Sequence, residues 1–189
     1  MAKMDKDWVD AYFEHGVDVT NRRVFLDSEI EEGSVGPVVK GLYLMETISN
    51  QQPVEMFISS FGGSLYDAIG LYDIMNTIKC PIHTFAFGKC MSAAPLLLAA
   101  GEPGHRWVAP HVSFMHHDMS TEESGTRQFI AAGIRHMDKL YEQWIGLLVK
   151  HSNKDRRWWD HRTKYPHDFY YSAEEALDWG LADSMWVEK

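Results

Sequence analysis

Residues 58–101 read ISSFGGSLYDAIGLYDIMNTIKCPIHTFAFGKCMSAAPLLLAAG, and the alternation of patterns within them decides the fold class. A β-rich run at residues 54–59 (VEMFIS) leads into the glycine turn Phe61-Gly62-Gly63-Ser64. Leu65, Ile69, Leu71, Ile74, Met75 and Ile78 then fall at helical spacing. Pro81 closes that helix, and residues 82–87 (IHTFAF) restart a strand. A second turn, Gly88-Lys89-Cys90-Met91-Ser92, precedes the apolar run 93–101, which reads as a buried helix with Gly101 as its stop. Pro95 is tolerated only in a first helical turn, where its missing N–H leaves no bond unmade, so this helix begins close to Ser92. Strand, helical crossover and strand in succession predict parallel pairing with right-handed connections, hence an α/β domain of repeated ββα or βαβ units. Both glycine turns lie where a strand passes into a helix, the usual place for ligand chemistry in such folds.

The flanking chain continues the pattern. Residues 23–26 (RVFL) form a strand, and Val38, Val39, Leu42, Leu44, Met45 and Ile48 make a helix of residues 35–48. Val108 and residues 112–117 supply two short strands. Residues 126–150 are the longest helix, with Phe129, Ile130, Ile134, Met137, Leu140, Tyr141, Trp144, Leu147 and Leu148 on its apolar side. A basic, tryptophan-containing segment follows, then residues 168–171, a helix of residues 173–179 stopped by Gly180, and a last strand after Leu181-Ala182-Asp183. Residues 1–20 are polar and read as a partly helical leader, leaving residues 21–189 as one domain.

Composition narrows the function. Eighteen Lys and Arg against 27 Asp and Glu give a net charge of −9, the wrong sign for a surface that neutralises a phosphate backbone, so nucleic acid is not an expected partner. The start, MAKMDKDWVD, has no apolar run of the secretory kind, and no stretch is long enough for a membrane span. The expectation is a soluble, cytoplasmic protein without a membrane partner. Cys80 and Cys90 make neither a disulfide framework nor a zinc site, and no metal or cofactor is expected.

Acyl transfer needs a nucleophile, a base near neutral pKa, a group that fixes the base's tautomer, and donors aimed at the developing oxyanion. Ser92 sits where a helix N-terminus leaves amides unpaired. The Ala93 amide is one candidate donor, and Gly62-Gly63 offer a second because a glycine pair lets the main chain approach a substrate. His117 and Asp168 are candidates for base and orienting carboxylate. Singly, each carries little: a serine before a helix is most often an N-cap, a Gly-Gly pair only a turn, and an aspartate beside His167 a surface turn residue.

Taken in order, these segments resemble the Clp protease proteolytic subunit (ClpP) family from about Arg22 to Val187. Residues 58–101 follow its strand, glycine turn, helix, strand and nucleophile turn without a gap, and residues 171–183 (YSAEEALDWGLAD) resemble its closing helix. Gly63 to Ser92 spans 29 residues and Ser92 to His117 spans 25, both matching the family's layout. That register selects His117 over His116, and strand alternation agrees, since neighbours face opposite ways. Asp168 falls in the D-x-x-x-S-A pattern ending at Ser172-Ala173, after a stretch about two residues longer than usual, with Asp160 as the fallback. By carry-over, Gly63 and Ala93 would donate to the oxyanion. Phe61 replaces a proline, Asp118-Met119 replaces Gln-Pro, and residues 119–125 replace a glycine-rich substrate-binding strand. Asp118 would raise the His117 pKa if its carboxylate lay near the ring, but alternation turns it away.

The resemblance implies a ClpP/crotonase-like fold of repeated ββα units with a protruding long helix, or handle. It implies an ATP-independent serine endopeptidase acting on polypeptides, in a homo-oligomer of one heptameric ring or two stacked ones. The long helix would form the contact between rings or, equally, pack in the core. No P-loop is present, so an AAA+ ATPase unfoldase is the implied partner, although residues 1–20 do not resemble the family's axial loops. The alternatives are a crotonase-superfold enzyme acting on acyl-CoA thioesters, a non-enzymatic ring subunit, and a phage ClpP-like protease of capsid maturation.

Overall fold

The computed structural model describes residues 12, 14–121, 124–164 and 167–187. Most of the leader thus lies outside the described residues, as do Glu122 and Glu123. The remainder is the mixed α/β architecture expected of the ClpP fold. In chain order the strands are β1 (Val17–Asp18), β2 (Arg23–Leu26), β3 (Val54–Ser60), β4 (Ile82–Met91), β5 (Arg106–Val108), β6 (Ser113–His116), β7 (Phe169–Tyr171) and β8 (Ser184–Met185). The helices are α1 (Glu32–Ile48), α2 (Leu65–Thr77), α3 (Ala94–Ala99), α4 (Arg127–Lys150), α5 (Arg156–Thr163) and α6 (Ala173–Asp178).

The main sheet runs β1-β2-β3-β4-β5-β8, and β6 and β7 branch from β4. Pairing is parallel except for β1 with β2 and β6 with β7. The branch originates within β4. Residues 88–91, which the sequence reads as a turn, extend the strand instead. The β3 to β4 register shifts between Ile58 and Ser60, so that Ile58 faces Ala86 and Ser60 faces Cys90. Gly88, at φ +63°, supplies the backbone conformation that this extra length requires. Before the shift β4 pairs with β5, and after it with β6.

Four helices, α2, α4, α5 and α6, start at a side chain that caps them. Ser64 accepts from the Asp67 amide at 3.3 Å, Thr126 from Phe129 at 3.3 Å and Asp155 from Trp158 at 2.7 Å. Ser172 and Glu175 form a reciprocal capping box. In α1, Val38, Leu42 and Met45 are fully buried against the sheet, each contributing roughly 2 kcal/mol. Leu44 and Ile48 of the same helix stay exposed. The segment left as basic and tryptophan-rich is α5, which buries Trp159.

The long helix α4 divides into two halves. Leu140, Tyr141, Trp144, Ile145 and Leu148 are buried in its C-terminal half, whereas Phe129 and Ile134 in the N-terminal half are more than half exposed. Core and surface readings of this helix thus apply to different turns of it. On the face of the sheet opposite α1, Phe25, Phe57, Phe85 and Trp107 stand in register across β2 to β5. Successive rings stack with centroids 4.7–5.1 Å apart. Parallel sheets are usually covered on both faces, and here the rings shield the outer face themselves.

Candidate active site

Extension of β4 to Met91 and its parallel pairing with β6, Met91 opposite Met115, bring two distant segments together. Ser92 is the first residue past the strand, and its amide donates to the Met115 carbonyl at 2.7 Å. His117 is the first residue past β6. The consequence is a Ser92 Oγ to His117 Nε2 distance of 2.8 Å, with both side chains partly exposed. With Nε2 unprotonated, the serine hydroxyl donates to it and Nδ1 carries the ring proton.

Ser92 has φ +55°, a conformation that non-glycine residues rarely adopt. It is not the cap of α3: that helix has six residues, and Ala93 occupies the capping position. The sharp turn lifts the hydroxyl clear of both strand and helix, the geometry of a nucleophile elbow. Nothing in the residue types around Ser92 signals this backbone conformation.

Gly62 and Gly63, at φ +98° and +147°, lie directly beside the serine. The Gly62 carbonyl accepts from Ile30 N at 2.8 Å, and Ser64 N donates to Ile30 O at 2.7 Å, which anchors the turn at both ends. Among the described residues neither the Gly63 nor the Ala93 amide donates to another backbone group. Gly63 lines the cleft with Ser92, and Ala93 follows the serine in the chain.

A cleft of about 340 Å³ opens at Ser92 and His117. Its apolar wall comes from Tyr66, Met119, Met137, Leu140 and Trp144, and Ser120 and Thr121 complete the rim. Sequence reasoning missed Tyr66 as a site residue and placed Met137, Leu140 and Trp144 on a helix without linking them to the serine. Only the three-dimensional crossing of α4 over the glycine turn makes that link. Residues 119–121 line the cleft without strand structure, and the rest of the altered substrate segment extends into the undescribed Glu122 and Glu123.

Each of the four carboxylates and histidines weighed around His117 has another hydrogen-bond partner. Asp118 is exposed and accepts from the Met119 amide at 2.8 Å. Asp160 accepts from Tyr141 Oη and from Arg156 Nε, each at 2.9 Å. Burial opposes its charge, but those two donors outweigh it and hold the carboxyl below its usual pKa. His116 is fully buried and faces away from the cleft, with Nδ1 3.0 Å from Tyr171 Oη. Burial, with a smaller contribution from neighbouring His117, pushes its pKa down to about 3, so the ring is neutral.

Asp168 is exposed, and its Oδ2 accepts from Tyr170 Oη at 3.2 Å. No hydrogen bond joins it to His117 among the described residues. The backbone pairing ends one residue short of the two. β6 and β7 pair antiparallel with His116 opposite Phe169, Met115 opposite Tyr170 and Phe114 opposite Tyr171. One step past that ladder the register runs to His117 and Asp168. Directly opposite residues of an antiparallel pair share a face, with Cβ atoms about 5 Å apart when the ladder is closed.

The family model described as Clp protease matches residues 9–189. The chain is 33% identical over 169 residues to "ATP-dependent Clp protease proteolytic subunit 4" of Rhodococcus jostii, an alignment covering 88% of this chain and 85% of that one. It is 30% identical over 168 residues to "ATP-dependent Clp protease proteolytic subunit 2" of Streptomyces avermitilis, covering 88% and 83%.

Proposed function

The chain belongs to the Clp protease family and is a serine peptidase, and from that premise we propose that Ser92, His117 and Asp168 are its catalytic triad, with the Gly63 and Ala93 amides as the oxyanion hole. The carrying observation is the 2.8 Å approach of Ser92 Oγ to His117 Nε2. In this reading His117 takes the hydroxyl proton as Ser92 Oγ bonds to the scissile carbonyl carbon, and the carbonyl oxygen becomes an oxyanion facing the two amides. His117 then returns the proton to the leaving amine as the C–N bond breaks. Water, deprotonated by the same ring, hydrolyses the acyl-enzyme. Asp168 accepts a hydrogen bond from Nδ1–H and stabilises the imidazolium, once its carboxylate turns from Tyr170 to the ring.

The substrate is polypeptide, laid in the cleft between the glycine turn and α4. The exposed Phe129 and Ile134 of α4 support assembly into a homo-oligomer, a heptameric ring or a stacked pair, because an interface would cover them. The relatives are named ATP-dependent, yet this chain carries no P-loop, which supports a separate AAA+ ATPase as the partner that unfolds substrates. A cytoplasmic location fits this role, and among the described residues no helix is long and apolar enough to cross a membrane.

A fluorophosphonate probe tests the reading directly: the folded protein is expected to take one label, at Ser92, and lose small-peptide hydrolysis in proportion. Labelling elsewhere with Ser92 unmodified, or CoA-ester turnover by an unlabelled protein, would overturn it.

A further inference from the structure

The ladder that aligns His117 with Asp168 is short. β7 has three residues and pairs with no strand but β6 among the described residues. A strand held by so few pairs is weakly registered, and a one-residue slip would turn every side chain to the other face. What adds to the backbone pairing is a polar contact inside the core. His116, fully buried on β6, meets Tyr171 Oη on β7 at 3.0 Å, and the two rings stack with centroids 5.6 Å apart. Tyr171 is 5% exposed, and its ring also stacks on Phe114.

This contact is a poor choice for stability alone. The other ring nitrogen, His116 Nε2, is buried without a hydrogen-bond partner, set against the rings of Trp144 and Trp159. An apolar pair of the same shape would leave nothing unsatisfied. The polar pair does something that an apolar pair does not: it accepts a single alignment. His116 immediately precedes His117, and Tyr171 lies three residues after Asp168, so the contact bridges the two strands that carry the proposed base and its carboxylate.

We propose that His116 and Tyr171 are positioning residues that lock β7 onto β6 in the register that sets Asp168 opposite His117. The inference rests on the triad reading above, and it assigns a task to the histidine that faces away from the cleft. Neither residue touches substrate. Their effect reaches the reaction through the angle and distance at which the carboxylate meets Nδ1.

The test compares Tyr171→Phe, which keeps the ring stacking and deletes one oxygen, with wild type in small-peptide hydrolysis, reading kcat and KM separately. We expect kcat to fall roughly 10- to 100-fold with KM unchanged. His116→Asn, which keeps a polar atom near the Nδ1 position, should retain more activity than His116→Leu. A wild-type kcat in Tyr171→Phe, with or without a lower Tm, overturns the proposal, since a merely structural contact would change only the melting temperature. Asp168→Ala separates the two failures. If Asp168→Ala is inactive while Tyr171→Phe behaves as wild type, the positioning role alone is wrong. If Asp168→Ala keeps wild-type kcat, the triad reading falls and this inference with it.

Discussion

A Cβ built on Gly62 would stand 2.5 Å from the Cβ of Ser92 and 2.7 Å from the Met91 carbonyl oxygen. The glycine turn and the nucleophile turn are thus in direct contact, and no side chain fits between them. Gly62→Ala must push the serine away or distort a backbone that already has φ +98°. Peptide hydrolysis is expected to fall at least 100-fold, with far-UV circular dichroism unchanged. Wild-type turnover in that variant would show that the two turns are not held together during catalysis.

Ser92→Ala should lower kcat by roughly 10⁴-fold or more while leaving assembly, measured by size-exclusion mass, intact. Ser92→Gly is equally inactive in this reading but relieves the φ +55° conformation. Its urea midpoint should therefore exceed that of Ser92→Ala, by about 1 kcal/mol of stability. Equal midpoints would mean that the turn carries no strain.

The two aspartates give opposite expectations. Asp168→Ala should lose roughly 10³- to 10⁴-fold in kcat, as expected when a base loses its orienting carboxylate. Asp160→Ala should retain most activity and lose stability, because its carboxylate engages Arg156 and Tyr141 instead. Kinetics of both variants beside their melting curves decide the matter; the reverse ranking would transfer the role to Asp160.

Asp183 accepts from Arg106 Nε and from the Gly104 amide, each at 2.8 Å, tying the start of β5 to the approach to β8. Burial raises its pKa, but Arg106 and the two backbone donors outweigh that and leave it lowered. A lowered folded pKa means stability that is complete above the unfolded value of about 3.9 and lost as pH falls through the folded value. At pH 7, Asp183→Asn should cost roughly 2 kcal/mol, or about 4–8 °C in Tm. The gap from wild type should close at acid pH below 3.9, and a gap independent of pH would assign the effect to packing.

The sequence makes the α/β class legible because period-2 and helical patterns alternate cleanly around two glycine turns. Proximity of Ser92 to His117 is legible from intervals shared with the Clp protease family, and the turn of His116 away from the cleft from simple alternation. The extension of β4 through Met91 is hidden, since Gly88-Lys89 reads as a turn when the β6 edge that it joins lies more than twenty residues away. The cleft wall is hidden for the same reason: Met137 and Trp144 look like any other apolar positions on a helix. Asp168 is intermediate. Its local pattern locates it in the chain, but only the β6 to β7 pairing, which ends at His116 opposite Phe169, leads toward His117.

The fork in β4 also governs when the chain becomes reactive. Ser92 and His117 meet only after a 25-residue loop has closed and the end of β4 has paired with β6, contacts that form slowly because chain entropy must be surrendered first. A chain still emerging or only half collapsed therefore carries an ordinary serine with no base beside it. On the proposed reading, proteolytic competence arrives only with the completed sheet.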